Sequence, residues 1–328
     1  MSPLVSILVP NYNHARFLPQ RLDTIIAQTF KDFELIVLDD CSSDNSREVL
    51  TTYASRVPMR LVFNEVNSGS TFIQWQKGAA AAAGKYLWIA ESDDFSDSNF
   101  LQKLVTIVEQ NPNVGLAYCE STRVSVDGTM GPLCEAGNRP LHETRWRRDH
   151  QNHGRDEIAR YFVIQNIIPN ASAVLARRDV FQKAVLGAEI LRLSGDWWTW
   201  VRILLDSDLA FVAEPMNFFR MHDRSVRETT RSAVACAERF SIQAYVCSHV
   251  SPTIKVRARS FQASYGPWRH YIRSPAFVWD WKWFAAVRRD AQKIYPLATA
   301  RMLAGLIRAV LECRLPHRLR EQRFSGGI

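Results

Sequence analysis

Three carboxylates fall within four residues where the apolar run Leu87-Trp88-Ile89-Ala90 ends in Glu91-Ser92-Asp93-Asp94. Burying charge is costly unless it is paired or bound to metal. Acids placed at the end of a buried strand therefore point to a cation site. Hard divalent cations such as Mg2+ or Mn2+ take oxygen ligands and keep positions open for phosphate oxygens. The pattern implies a metal bridging the diphosphate of a nucleotide-linked substrate. The competing use of such a cluster is to cap the next helix, but Ser96 and Asp97 already stand at the capping positions.

The elements that must position these acids alternate in type. Residues 4–10, 33–38, 59–63, 86–90 and 114–119 are short, apolar and strand-like. Between them, 16–29, 44–53, 71–83 and 98–109 carry helical spacing, the third ending at Gly84, a favoured residue just past a helix. Such alternation predicts a mainly parallel sheet covered by helices on both faces. Ligands of such sheets bind beyond the carboxyl ends of the strands. Three polar clusters fall at those ends: Asn11-Tyr12-Asn13-His14, Asp39-Asp40, and Glu91 through Asp94. Residues 121–155 read as an irregular basic excursion. A strand at 173–176, a helix at 195–205, and short strands at 210–213 and 216–219 follow. Helical patterns dominate from about 228.

The bulk numbers fit a globular chain. There are 328 residues, with 47% hydrophobic and 23% charged. No window approaches the roughly 18 apolar residues that a spanning helix needs. No basic-then-apolar leader precedes the first strand, which implies a chain that stays in the cytoplasm. The six cysteines lack metal-ligand spacing and fit a reducing compartment. The net charge of +8 is uneven: residues 231–328 hold 17 Lys and Arg against 5 Asp and Glu, and residues 1–230 hold 24 against 28.

Taken together, Ser6-Ile7-Leu8-Val9-Pro10-Asn11-Tyr12-Asn13, Gln28-Thr29-Phe30, Asp39-Asp40-Cys41-Ser42-Ser43-Asp44, Gly84-Lys85-Tyr86 and Glu91-Ser92-Asp93-Asp94 resemble family 2 glycosyltransferases of the GT-A fold. The order and spacing match over about 4–120. Weaker similarity runs to about 225 through Gly195-Asp196-Trp197 and Arg220-Met221-His222. The resemblance implies a Rossmann-like α/β domain over 1–225, with donor binding in 1–120 and the acceptor side in 121–225. Residues 226–328 form a basic helical C-terminal region. The implied activity is inverting transfer of a sugar from a UDP-, GDP- or dTDP-linked donor, helped by Mn2+ or Mg2+. A glycan or lipid-linked acceptor, surface polysaccharide synthesis and a place at the inner face of the cell membrane follow from the same resemblance.

The resemblance also assigns residues. Pro10, Asn11 and Tyr12 close the strand where the nucleoside sits, although a loop leaving a strand also favours Pro and Asn. Asp39 and Asp40 can accept the N–H groups of a base, with Asp40 the better placed; capping of the helix near Asp44 is the alternative. Gly69 lets backbone approach ribose or phosphate ahead of a helix N-terminus. The family's early basic residue in that helix is replaced by Phe72-Ile73-Gln74-Trp75, and the first lysine is Lys77. Glu91 and Ser92 contact the donor, Asp93 and then Asp94 hold the metal, and His222 is a third ligand. Arg220 neutralises phosphate charge. Asp196 is the base that takes the proton of the acceptor hydroxyl. Trp197 and Trp198 wall it, exclude water and offer stacking faces, while helix capping over core tryptophans is the plainer use.

The C-terminal region carries Trp268, Trp279, Trp281 and Trp283 and a basic amphipathic stretch over 296–314. Such helices suit an anionic membrane surface; an ordinary helical subdomain or a dimer interface has the same pattern. No nucleic-acid reader motif is present. A sugar nucleotidyltransferase would need a Gly-, Arg- and Lys-bearing loop after the first strand, which Asn11-Tyr12-Asn13-His14 is not. A non-catalytic nucleotide- or glycan-binding partner subunit is the remaining alternative.

Overall fold

The computed structural model describes residues 2–221 and 232–314. The chain divides into two compact units, Met1–Phe162 with Asn166–Thr229, and Val163–Gln165 with Thr230–Ile328. In the first unit the elements run β1 (Val5–Asn11), α1 (Leu18–Ile26), β2 (Phe33–Asp39), α2 (Ser46–Ala54), β3 (Arg60–Phe63), α3 (Thr71–Ala81) and β4 (Tyr86–Ile89). Next come β5 (Phe95–Ser96), α4 (Phe100–Gln110), β6 (Val114–Val124), β7 (Met130–Leu133), β8 (His150–Asn152) and α5 (Gly154–Glu157). The unit closes with β9 (Val174–Arg177), α6 (Arg178–Ala184), α7 (Gly195–Leu204) and β10 (Asp208–Arg220).

The ten strands form one sheet in the order β3-β2-β1-β4-β9-β6-β10-β5, with β7 on β6 and β8 on β10. The block β3-β2-β1-β4 is parallel throughout. β1 and β4 are buried on both faces, as parallel strands under helices must be. Register sets the rim: Asn11 pairs with Asp39, and Leu8 with Ile89. Continuing that register brings Glu91 level with Pro10, so the polar strand ends meet along one edge.

Four expectations change. β9 enters antiparallel between β4 and β6, a direction that alternation of types does not encode. β6 runs on to Val124, because Glu120 and Ser121 are buried polar strand residues with internal partners. The two short strands at 210–213 and 216–219 are one, β10, with register shifts around Pro215, whose missing N–H is tolerated at an irregularity. Ser96 and Asp97 do not cap α4 as expected. Ser96 pairs with Asn217 in the sheet, the helix starts after Asn99, and the Asp97 side chain accepts the Asn99 amide.

The second unit holds α8 (Ser232–His249), α9 (Ile254–Tyr271), α10 (Trp281–Ile294) and α11 (Ala298–Arg314). Their core includes Phe240, Phe261, Trp268, Phe284, Val287 and Met302. Residues 163–165 belong to it because the buried Gln243 and Ser260 side chains donate to the carbonyls of Ile164 and Val163. No helix among the described residues is long and apolar enough to cross a membrane.

Gly84 does not end a helix, since α3 stops at Ala81. A Cβ there would lie 2.6 Å from the Ser6 amide nitrogen and 2.7 Å from the Val5 carbonyl carbon. Glycine is needed because β1 passes that close. Gly84→Ala is expected to destabilise the protein by about 1–3 kcal/mol, read as a lower urea midpoint. An unchanged midpoint would contradict the close approach.

Candidate active site

The rim is assembled from side-chain clamps between neighbouring strand ends. Asn11 is buried and donates to Asp39 Oδ1 at 2.8 Å and Ser42 Oγ at 3.2 Å. Asn13 stands at φ 58°, and Cys41 opposite it at φ 63°. Both are unusual for residues with a Cβ. The strain is held in place because Asn13 Oδ1 accepts the amides of Ser43 and Asp44. Tyr12 is exposed beside them. His14 Nδ1 lies 2.9 Å from Ser92 Oγ and ties this loop to the acids after β4.

Asp39 and Asp40 are buried and already serve the protein. Asp39 accepts from Asn11, from the amide and hydroxyl of Ser42, and from Arg47 Nε at 3.1 Å. Asp40 Oδ1 accepts from Asn64 Nδ2, the Ser68 amide and Gln74 Nε2, and its Oδ2 from Ser68 Oγ. Asp40 is therefore the hub of the loop before α3. Gly69 lies in that loop at φ 75° with no atom within 4 Å of a would-be Cβ. Its backbone conformation, not close approach, demands glycine.

The acid loop is built the same way. Glu91 Oε1 accepts from Trp75 Nε1 at 2.9 Å, and its backbone is held by Ser172 Oγ and by Arg21 Nε. Burial, then the charge of Asp93, pushes the Glu91 carboxyl up to about 8, so it is mostly neutral at pH 7. Asp94 Oδ2 accepts from Asn170 Nδ2 at 2.8 Å and Ser172 Oγ at 2.6 Å, and its Oδ1 from the Arg220 amide at 2.9 Å. Burial, with Asp93 second, raises its pKa. Asp93 is partly exposed, and its carbonyl accepts from Arg220 Nε. Beneath the loop Arg21 is fully buried. Desolvation lowers its pKa to about 10, against the pull of Asp94, Asp93 and Glu91.

Asp196 lies in the first turn of α7. Its Oδ2 accepts from Asn166 Nδ2 at 2.9 Å, and its Oδ1 from the Trp197 amide. Two routes join it to the acid loop. Asn166 holds Asp196, while Asn170 and Ser172 hold Asp94; six residue steps, at most about 20 Å of chain, separate Asn166 from Ser172. A Cβ on Gly195 would lie 2.6 Å from the Phe72 ring, Phe72 packs edge-on against Trp75, and Trp75 bonds Glu91.

Residues 6–181 match the family model of glycosyl transferase family 2. This chain is a member of that family. An uncharacterized glycosyltransferase of Haemophilus influenzae is 25% identical over 268 residues, 80% of this chain and 82% of the relative. One of Nostoc sp. is 32% identical over 116 residues, 35% of each chain, so the chain covers about a third of that relative. Among solved structures, S. aureus TarS 1-349 superposes with a TM-score of 0.68 at 13% identity, over 100% of this chain and 92% of the other. The mannosyltransferase PcManGT of Pyrobaculum calidifontis, solved with GDP-Man and Mn2+, gives 0.56 at 16% identity, over 95% and 87%. The GT-A fold is thereby established for this family 2 glycosyltransferase.

Several residues take roles other than those expected. Of the two acids expected to hold a metal, Asp94 accepts from three internal donors on its two oxygens. Among the described residues no group of three or more His, Cys, Asp or Glu side chains is arranged to hold a metal; His222 lies outside the described residues. Arg220 acts as a strut. Its guanidinium donates to Asp93 O, Ser125 O and Gln20 Oε1, between the rings of Phe17 and Phe95. Trp197 is buried and bonds the Phe162 carbonyl, whereas Trp198 is partly exposed and bonds the Leu186 carbonyl through its ring edge.

The sequence reading missed Arg21, Trp75, Asn166, Asn170 and Ser172. Arg21 left a trace: it shares the buried stripe of α1 with Leu18, Leu22 and Ile25, an odd place for a charge. The three residues of the 166–172 segment left none, because their partners are distant in sequence. Asp94→Ala is expected to cost about 2–4 kcal/mol, since it strands three buried donors. A melting temperature unchanged in that variant would contradict the structural role of Asp94.

Proposed function

We propose that this glycosyltransferase moves a sugar, with inversion, from a nucleotide-sugar donor to a hydroxyl of a glycan or lipid-linked acceptor in surface polysaccharide synthesis. The observation that carries the reading is the single segment from Asn166 to Ser172 that holds Asp196 at one end and Asp94 at the other. The donor nucleoside lies along the rim of Pro10, Asn11, Tyr12, Asp39 and Asp40, with the exposed Tyr12 ring as its stacking face. Gly69, Glu91 and Ser92 line the way to the phosphates.

The donor set fits a hard divalent cation. Asp93 offers carboxylate oxygen at the strand end, and Mg2+ is commonly held by one or two carboxylates plus substrate phosphates. Bound there, Mn2+ or Mg2+ would offset the charge that builds on the departing diphosphate. The rest is done by the chain. Asn166 fixes the rotamer of Asp196, so that a carboxylate lone pair is aimed at the acceptor hydroxyl. As oxygen attacks the anomeric carbon opposite the leaving group, its proton passes to Asp196. The neutral Glu91 keeps the charge of the loop low enough to admit a diphosphate. Placement at the inner face of a membrane, with contact through residues 231–328, completes the reading.

A panel of UDP-, GDP- and dTDP-sugars tests it. Turnover should fall about 100-fold or more in Asp196→Asn, with donor Kd within a few-fold, and chelator should weaken donor binding. Full turnover in Asp196→Asn would sink the base assignment. Donor binding without turnover by the unaltered protein would favour a binding subunit, and binding indifferent to chelator would remove the metal.

A further inference from the structure

We infer that the second unit docks on an anionic lipid surface through one apolar face formed by Trp279, Trp281, Ile307, Val310 and Leu311. This deepens the membrane contact proposed above by naming the face and the lipid class, and it rests on that reading only for the side of the molecule concerned.

The face is more apolar than the core of the unit requires. In α11 the residues Ala298, Met302 and Ala309 are buried and seal the helical core. Leu303, Ile307, Val310 and Leu311 recur at i, i+4, i+7 and i+8, which makes a second stripe on the same helix. That stripe faces solvent: Ile307 is 62% and Leu311 59% exposed. One stripe per helix satisfies a core, so the second is left over. Beside it, Trp279 and Trp281 are 52% and 66% exposed, with ring centroids 6.3 Å apart. They are presented firmly, because Asp280 between them caps α10 by accepting the amides of Lys282 and Trp283 at 2.8 and 3.1 Å. Trp279 and the exposed stripe line one cleft of about 540 Å³.

Charge selects the occupant. Residues 231–328 carry 17 Lys and Arg against 5 Asp and Glu. On the wheel of α11, Arg301 and Arg308 both lie on one side of the exposed stripe, Arg308 paired with Glu312 at 2.8 Å, and the exposed Lys282 follows Trp281. A second copy of the chain would set two such basic surfaces face to face, because a twofold interface pairs a patch with itself. Residues 315–328 bring Arg318, Arg320 and Arg323 against Glu321, again the same sign. Anionic headgroups neutralise the charge instead, while indole rings settle at the headgroup level and the aliphatic stripe enters the acyl boundary.

The full chain is sedimented with vesicles of phosphatidylcholine alone or mixed with phosphatidylglycerol, without donor. Binding is expected to the mixed vesicles, to weaken with salt, and to drop roughly 10-fold or more in Trp279→Ser/Ile307→Ser. The charge variant Lys282→Glu should weaken it in the same direction. Both sites are exposed, and circular dichroism confirms that the variants fold. No binding to mixed vesicles, binding unmoved by the double variant, or a double variant that only dissociates a dimer would each overturn the inference. Donor turnover measured in solution on the same preparations separates the two readings. Turnover without vesicle binding sinks only the lipid face, and vesicle binding without turnover sinks only the transferase reading.

Discussion

The buried carboxylate of Asp94 is the constraint on which the site depends. Its oxygens accept from Asn170, Ser172 and the Arg220 amide, which come from the segment before β9 and from the end of β10. Those three donors fix the loop of Glu91 through Asp94 against strands that arrive more than 75 residues later in the chain. Arg220 also donates through Nε to the Asp93 carbonyl, so the backbone of the neighbouring acid is held by the same strand end. The same segment then runs back to Asn166 and sets Asp196.

Crowding of like charge is the cost of this arrangement, and three features offset it. Arg21 lies buried beneath the loop as a counter-charge, although its own burial opposes ionisation. Glu91 gives up its charge near neutral pH through burial and through the Asp93 charge. Donors around Asp94 compensate part of its desolvation. The loop thus presents two partly exposed acids, Glu91 and Asp93, of which Glu91 carries the raised pKa.

Much of the fold was legible from local signals, and the losses have local causes. Strands β1 to β4 and the helices between them announce themselves by apolar period, and their parallel register follows from the crossovers. β9 was seen as a strand, but its antiparallel direction depends on a chain path that no period records. Buried polar strand residues such as Glu120 and Ser121 have the composition of a loop; the partner that explains Ser121, Asn217, is 96 residues away. In the site, residue types identified the acids at the strand ends. They do not show that Asp94 is held by three donors distant in sequence. For Arg220 the charge is visible in the sequence, and its enclosure between Phe17 and Phe95 is not.

In the proposed site the acids after β4 face the donor diphosphate, and Asp196 is placed by the segment that also holds Asp94. A crystal structure with Mn2+ and a nucleoside diphosphate tests it most directly. The account predicts the ion about 2.1 Å from an Asp93 oxygen, with the bonds from Asn170, Ser172 and Arg220 to Asp94 intact and Asp196 opening onto the same cleft. An ion seated on Asp94 with those bonds broken, or a diphosphate bound away from both aspartates, would contradict it.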